Sequence, residues 1–473
     1  RSGAGQRVNL RSWTSSIGGL RVRLSGVEVA QFVARNIPRG MVAELKVGFE
    51  GMEFDDWETV GLYSLQSISG ARNQWSIEMS DLFSILQAPD KVTLSAQFYK
   101  GAGVSTTVAV DWNNATATAS TTLQVADASD FNKDGSTDHR GLLYCQPSSG
   151  DPFYLKFSAA TTSPAHQATI VPVNAIGTTR ANLASGDTVT PLGYVFDSVP
   201  DVAHRVLFGG LAGSSTMPDN WHMDLKYDSH LVNSADLNHW RARWLSLYAN
   251  FSGDFIVSNP LENPFRGLEE YLSAFGAWLV FKEGGLSWRF VQALVDVGTA
   301  GGMLPAFDVA DYVITDDDIE REDTYQRHHP DAPVEYFQIN FPSGNWMDDG
   351  RPIMTRPGVF RLNHDSVNRA FDDDVLTSNK TNATTNLKRR IGPWYTRIPD
   401  QMNLTLKGWK FAEVVPGDVV SLQSQYIRDL ITGGAADHYF SDYHEGTNYL
   451  VTGVDVDWSG FNTSIQLTTL PRA

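Results

Sequence analysis

The stretch from Tyr395 to Leu470 constrains the fold more than any other. Ile398, Met402, Leu404 and Leu406 occupy even positions and alternate with Asn403, Thr405 and Lys407. Successive side chains of a strand point to opposite faces, so this spacing predicts a strand with one face buried and one in water. Val414-Val415-Pro416-Gly417-Asp418-Val419-Val420-Ser421-Leu422 comes next. Pro416 presets a turn, Gly417 tolerates positive φ, and Asp418 is suited to accept from nearby backbone amides. The apolar pair that follows begins a new strand. Beyond a polar loop, Tyr449–Asp457 and Thr463–Leu470 predict a closing hairpin, its turn supplied by glycines and Asn462.

The ordered set of a long apolar strand, V-V-P-G-D-V-V-S-L, a loop, Y-L-V-T-G-V, a turn and T-S-I-Q-L-T-T-L resembles the C-terminal part of tail-hub and tail-tip (baseplate hub) proteins of tailed bacteriophages. Related hubs occur in gene transfer agents and contractile injection machines. Two further segments resemble the same family. One is the N-terminal series of alternating strands at Leu20–Leu24 and Ala43–Phe49, the acidic-aromatic turn Gly51–Trp57, a long strand at Val60–Ile68 and another at Gln74–Met79. There Asp81 is placed to cap a short helix through Leu86. The other is a helix from Pro264 to Gly276 followed by Ala277-Trp278-Leu279-Val280-Phe281, Glu283-Gly284-Gly285 and Leu286-Ser287-Trp288-Arg289-Phe290. Pro264 suits the first turn of that helix and Gly276 its C-cap.

Four regions follow from these patterns. Residues 1–118 form an N-terminal β domain, and 119–196 an inserted small β-module. Residues 197–298 are a helical segment with a hairpin, and 299–473 a C-terminal β domain with a connecting segment. The fold class is mainly β with a helical link, α+β overall. The resemblance implies two β-barrel-like hub domains and a homotrimer around the tail axis. It also implies distal tail, tail-tube and tape-measure proteins and tip or fibre proteins as partners, with DNA passing through without specific binding. The place so implied is the virion, at the tail tip.

Composition limits the chemistry. A net charge of −17 disfavours a nucleic-acid grip built on counterion release. One cysteine, Cys145, excludes an internal disulfide and any cysteine-rich metal site. No run approaches the ~20 apolar residues of a membrane span. No secretory signal is visible, and the chain opens Arg1-Ser2-Gly3 without Met.

Each candidate site has a plainer reading. Asp130-x-Asn132-x-Asp134-Gly135 matches the start of a calcium loop, but Gly141 stands where the twelfth-position carboxylate belongs, and an Asx-rich turn explains the same residues. Asp316-Asp317-Asp318 and Asp372-Asp373-Asp374 offer paired carboxylates for glycoside cleavage, but consecutive side chains point apart. His328, His329, His438 and His444 are possible metal ligands in polar, loop-like surroundings. The tryptophans at 221, 240, 244, 278, 288, 346, 394, 409 and 458 suit sugar stacking or, more simply, cores and interfaces. No nucleophile elbow, zinc-protease motif, phosphate-binding loop or dinucleotide fingerprint occurs. The expectation is a structural protein with no catalytic, cofactor-binding or metal residues. The alternative is a tail protein that binds or cleaves a host carbohydrate, which requires aromatics and carboxylates to converge in one groove.

Overall fold

Strand pairing follows the alternation read in the sequence. The computed structural model describes residues 5–10, 14–26, 42–71, 74–81, 105–113, 120–131 (without 130), 141–170 (without 151), 182–208, 233–248, 252–257, 268–291 (without 270, 274 and 284), 310–321, 401–424 and 448–470 (without 458 and 459). Short pieces at 28, 31, 338–339, 347–348, 351–352, 362–363 and 394 complete it. The chain is mainly β.

Two short strands, β1 (Gln6–Asn9) and β2 (Thr14–Ile17), open the order. A four-stranded antiparallel sheet follows, built from β3 (Leu20–Ser25), β4 (Val42–Val47), the long β5 (Glu58–Ala71) and β6 (Gln74–Asp81) in the order β3-β6-β5-β4. Asp81 ends β6, in register with Tyr63 of β5. The proposed helix beyond it lies outside the described residues.

A seven-stranded sheet comes next. Its strands are β7 (Thr106–Thr107), β9 (Thr121–Gln124), β10 (Gly141–Gln146), β11 (Phe153–Thr161), β12 (Gln167–Ile170), β14 (Thr188–Ser198) and β15 (Ser252–Val257). A separate pair, β8 (Trp112–Asn113) with β13 (Asn182–Leu183), lies beside it. One core serves the strands from β8 to β14. It joins Val108 and Trp112 to Leu123, Leu143, Phe153, Leu155, Phe157, Ile170 and Val189, all buried. Helix α1 (Val199–Phe208) continues directly from β14, and α2 (Ser234–Tyr248) precedes β15.

The hairpin read at 277–290 is present as β16 (Ala277–Lys282) and β17 (Gly285–Phe290), paired from Ala277↔Phe290 to Lys282↔Gly285. Gly276 sits before it at φ +64°, the left-handed conformation that ends a helix at little cost in glycine.

The C-terminal strands are β18 (Tyr312–Thr315) and β19 (Ile319–Arg321), then four two-residue strands, β20–β23, at Gln338–Ile339, Met347–Asp348, Arg351–Pro352 and Leu362–Asn363. After them come β24 (Gln401–Lys407), β25 (Val419–Gln423), β26 (Asn448–Asp457) and β27 (Asn462–Thr469). The main sheet runs β18-β25-β26-β27-β24-β19. Its two ends are consecutive strands with only Asp316–Asp318 between them, in one 3-10 turn. Such a turn rises about 2 Å per residue, so the ends lie within roughly 8 Å of each other and the sheet curls back on itself. Met402, Leu404 and Leu406 of β24 point inward with Ile314, Phe411, Val420, Leu422, Val451, Ile465 and Leu467. Full burial of each such aliphatic chain contributes about 1.5–3 kcal/mol.

The N-terminal strand β1 also belongs here. Gln6 and Arg7 pair with Val454 and Gly453 of β26, on the edge whose other half, Asn448–Leu450, is taken by β25. The Gln6 side chain reaches further. Its amide nitrogen donates to the Phe281 carbonyl (2.7 Å), and its oxygen accepts from the Phe281 N–H (3.2 Å). The start of the chain thus clamps the hairpin to the curled sheet.

Candidate functional site

The Pro416-Gly417-Asp418 turn forms as its residue types dictate. Gly417 adopts φ +108°, and Asp418 accepts the Val415 N–H on Oδ2 at 3.1 Å. Main-chain bonds from Gly417 N to Val451 O (2.8 Å) and from Val451 N to Asp418 O (2.9 Å) seat the turn on β26.

Against that turn lies the hairpin, 129 residues away in sequence. The Trp278 indole donates to the Pro416 carbonyl at 3.0 Å. Arg289 Nε donates to Asp418 Oδ1 at 2.8 Å. A Cβ at position 417 would fall 2.6 Å from Arg289 Cβ and Cγ and 2.9 Å from Trp278 Cζ2, so glycine is required for this approach as well as for φ. The two most distinctive sequence segments are therefore in direct contact.

Helix α2 supplies the third wall. Asn233 Oδ1 accepts the Asp236 N–H (3.1 Å) as an N-cap, and its amide donates to the Lys282 carbonyl (3.3 Å) at the hairpin turn. This fixes Asp236 in the first helical turn, where the macrodipole favours a carboxylate. Asp236 Oδ2 accepts from Arg289 Nη1 (2.6 Å) and from the Ser287 hydroxyl. Trp240 lies under the guanidinium, 4.5 Å from ring centroid to Cζ, and packs edge-on to Phe290. Trp244 contacts both Trp288 and Phe290.

Lys282 completes the inner group, 3.6 Å from Asp418 and 3.9 Å from Asp236, with its ammonium donating to the Tyr312 hydroxyl at 3.2 Å. Arg243 faces Asp311 at 3.7 Å, and Asp311 accepts the Val419 N–H at 2.8 Å. Three cations thus meet three carboxylates across α2, the hairpin, β18 and the P-G-D turn. Arg289 is wholly buried and Asp418 1% exposed.

The electrostatics follow from burial and pairing. Burial opposes charge on Lys282, but Asp418 and Asp236 outweigh it and push the ammonium up to about 12. Burial acts in the same way on Arg289 and is again outweighed by Asp418 and Asp236, so its pKa rises. Desolvation opposes charge on Asp236, but Arg289, Ser287 and Lys282 together outweigh it and hold the carboxyl below the usual carboxylate range. Burial, reinforced by Asp418, pushes Asp311 up. Every carboxylate of the inner group is committed to a cation. The arrangement fastens segments and offers no open acid–base pair.

The candidates weighed from sequence are dispersed. Asp318 accepts from the Thr315 N–H (2.9 Å) and from Lys410 (2.9 Å), and Asp316 accepts from Ser424. These acids stitch the 3-10 turn to the curled sheet. Trp240, Trp244, Trp278, Trp288 and Trp394 are buried. Asp130, Asn132, Asp134 and Gly135 of the calcium-like loop, His328, His329, His438, His444, Asp372–Asp374, Trp221, Trp346 and Trp458 lie outside the described residues. Sequence reasoning passed over Asp236, Lys282, Arg289 and Asp311. The available signal was an arginine inside the apolar run L-S-W-R-F and an aspartate inside V-V-P-G-D-V-V. A charge at an inward strand position demands a partner. No protein-family model matches the chain, and no curated protein sequence matches it either. Among the described residues no helix is long and apolar enough to cross a membrane.

Proposed function

We propose that this chain is the structural hub at the distal end of a phage-like tail, a homotrimeric ring. It joins the tail tube and distal tail proteins to tip or fibre proteins, and the tape-measure protein and genome leave through it without being held. The observation that carries the reading is the buried contact between the hairpin and the P-G-D turn. Both segments carry the family resemblance, and here they form one unit through Trp278, Arg289 and Asp418. The curling of the C-terminal sheet supports reading it as a barrel-like hub element, and the ion cluster fastens α2 and the hairpin to it. A large share of buried tryptophan and a committed set of charges suit load transmission between neighbours better than turnover.

The carbohydrate-acting alternative needs aromatics and carboxylates to converge in one groove; the five tryptophans named above are enclosed, while Trp409 is half-buried. The test is direct. Nanogold coupled to a peptide tag on this chain, followed by imaging of tagged particles, is expected to mark one end of the tail only. Labels along the tube, on the capsid, or absent from purified particles would overturn the proposal.

A further inference from the structure

A patch of exposed aromatic side chains stands apart from the ion cluster. It is built from three turns. The loop between β4 and β5 contributes Phe49, Met52 and Phe54, which are 69%, 41% and 62% exposed. The turn after β24 contributes Trp409, and the turn between β26 and β27 contributes Phe461, 58% exposed. Phe461 stacks on Trp409 (centroids 4.8 Å, 20° between planes), and Phe49 packs against the same indole at 5.8 Å. Rings from the N-terminal sheet and the curled sheet therefore form one continuous surface.

Two features set the patch apart from incidental exposure. Phe461 holds φ +54°, a left-handed conformation that glycine or asparagine adopts far more cheaply than a bulky ring. The turn bears that strain while presenting a phenyl group to solvent. The 49–57 loop is also prearranged. Met52 N bonds to Phe49 O (3.1 Å), Asp56 N to Glu53 O (3.0 Å) and Trp57 N to Phe54 O (3.2 Å), and the Trp57 indole lies over Gly48, where a Cβ would meet it at 2.4 Å.

Charge says what such a surface accepts. Between Gly48 and Trp57 stand Glu50, Glu53, Asp55 and Asp56, with no Lys or Arg. All four are exposed, and none is ion-paired among the described residues. Carboxylates interleaved with open ring faces repel anionic lipid and nucleic acid. They attract a group that is both cationic and able to lie flat on a ring, which is the guanidinium. The patch already holds one cation in this way, with Lys46 over the Phe54 ring at 5.2 Å.

We infer that this aromatic-acidic surface is a docking site for an arginine-bearing segment of another protein. The inference does not depend on the tail-hub reading. The site takes extended or loop-like chain whose arginines stack on Phe49, Phe54 and Phe461 and pair with the surrounding carboxylates. Salt weakens the carboxylate share, and loss of a ring weakens the stacking share.

The test titrates the full chain with a synthetic peptide alternating arginine with serine and glycine, and with its glutamine counterpart, by calorimetry. The arginine peptide is expected to bind and the glutamine peptide not to. Raising salt from about 50 to about 300 mM should weaken binding at least about threefold. Phe461→Asn, which keeps a residue tolerant of the left-handed turn, should weaken it about fivefold or more. The pair Asp55→Asn with Asp56→Asn should do the same. The charge-matched pair Asp111→Asn with Glu283→Gln, in other elements, should leave binding unchanged. Equal loss from both acidic pairs would reduce the effect to overall net charge and overturn the site. So would retained binding by both patch variants, binding of chitohexaose or neutral lipid vesicles in place of the peptide, or self-association of the chain that Phe461→Asn abolishes.

Discussion

Asp418 is the residue on which the C-terminal segments converge. It caps Val415, receives Arg289 and faces Lys282, while itself almost fully enclosed. Removing one member of a buried ion pair strands the other, so Asp418→Ala is expected to cost about 3–5 kcal/mol in chemical denaturation. Adding Arg289→Met to that variant should recover part of the loss, because the stranded guanidinium is then gone. Strictly additive costs would mean that the two charges are not coupled. The pH dependence has two limbs. Asp236 has a lowered folded pKa, so its contribution is present above the ordinary carboxylate value and is lost as pH falls through the lowered one. Asp311 runs the other way, its raised pKa relieving strain as the medium acidifies. Lys282 has a folded pKa raised from 10.5 to about 12, so its contribution is whole below 10.5 and disappears as pH climbs to about 12. A shift of that size corresponds to about 2 kcal/mol. Lys282→Met should therefore lose less stability than the parent chain across that alkaline window. Parallel curves from pH 10 to 12 would remove Lys282 from the account.

At the scale of elements, legibility in the sequence tracked how local each signal was. The inward Met402, Leu404 and Leu406 are period-two residues on a solvated strand, and alternation alone placed them. Gly276 and the P-G-D turn were visible because φ-permissive residues sit where the chain must reverse. The closing hairpin was placed correctly, but among the described residues of its turn the left-handed one is Phe461, not the glycine that local propensity favours. Stacking on Trp409 competes with propensity there, and nothing within five residues announces that partner. The site was legible only in halves, for hairpin and turn were each singled out while their contact, being 129 residues long-range, left no periodic trace. Strand β1 is a further case. Four residues, Gln-Arg-Val-Asn, carry too little pattern to reveal that they pair with β26. Gln6 nonetheless makes two hydrogen bonds to Phe281. Gln6→Ala is expected to cost about 1–3 kcal/mol, the penalty for leaving partly buried backbone groups unpaired. A change within experimental error in denaturation midpoint would show that water replaces the side chain at no cost.

For the whole molecule, net charge is the property with the widest reach. A chain at −17 repels phosphate before any contact forms. Under the proposed role the polyanion must pass and not stick. A basic lining would hold it with steep salt dependence, while an acidic one lowers residence on the wall. Among the described acids, Asp317 and Glu320 are exposed beside the 3-10 turn that brings the ends of the curled sheet together. Their neighbours Asp316 and Asp318 are tied to Ser424 and Lys410 and hold that turn in place. The turn and β19 beside it therefore present two charges, Asp317 and Glu320, with no ion pair among the described residues. The competing view places these acids on the outer surface, where they only keep the particle soluble. The two views separate in the geometry of the ring. The expected outcome is that side chains within about one Debye length of the axis, ~8–10 Å, are mainly Asp and Glu, with Asp317 and Glu320 among them. Asp317→Lys with Glu320→Lys should then slow genome release from assembled particles, more strongly at low salt than at high salt. Unchanged release at low salt, or an axis lined by Lys and Arg, would place the acids outside and leave passage to be explained by width alone.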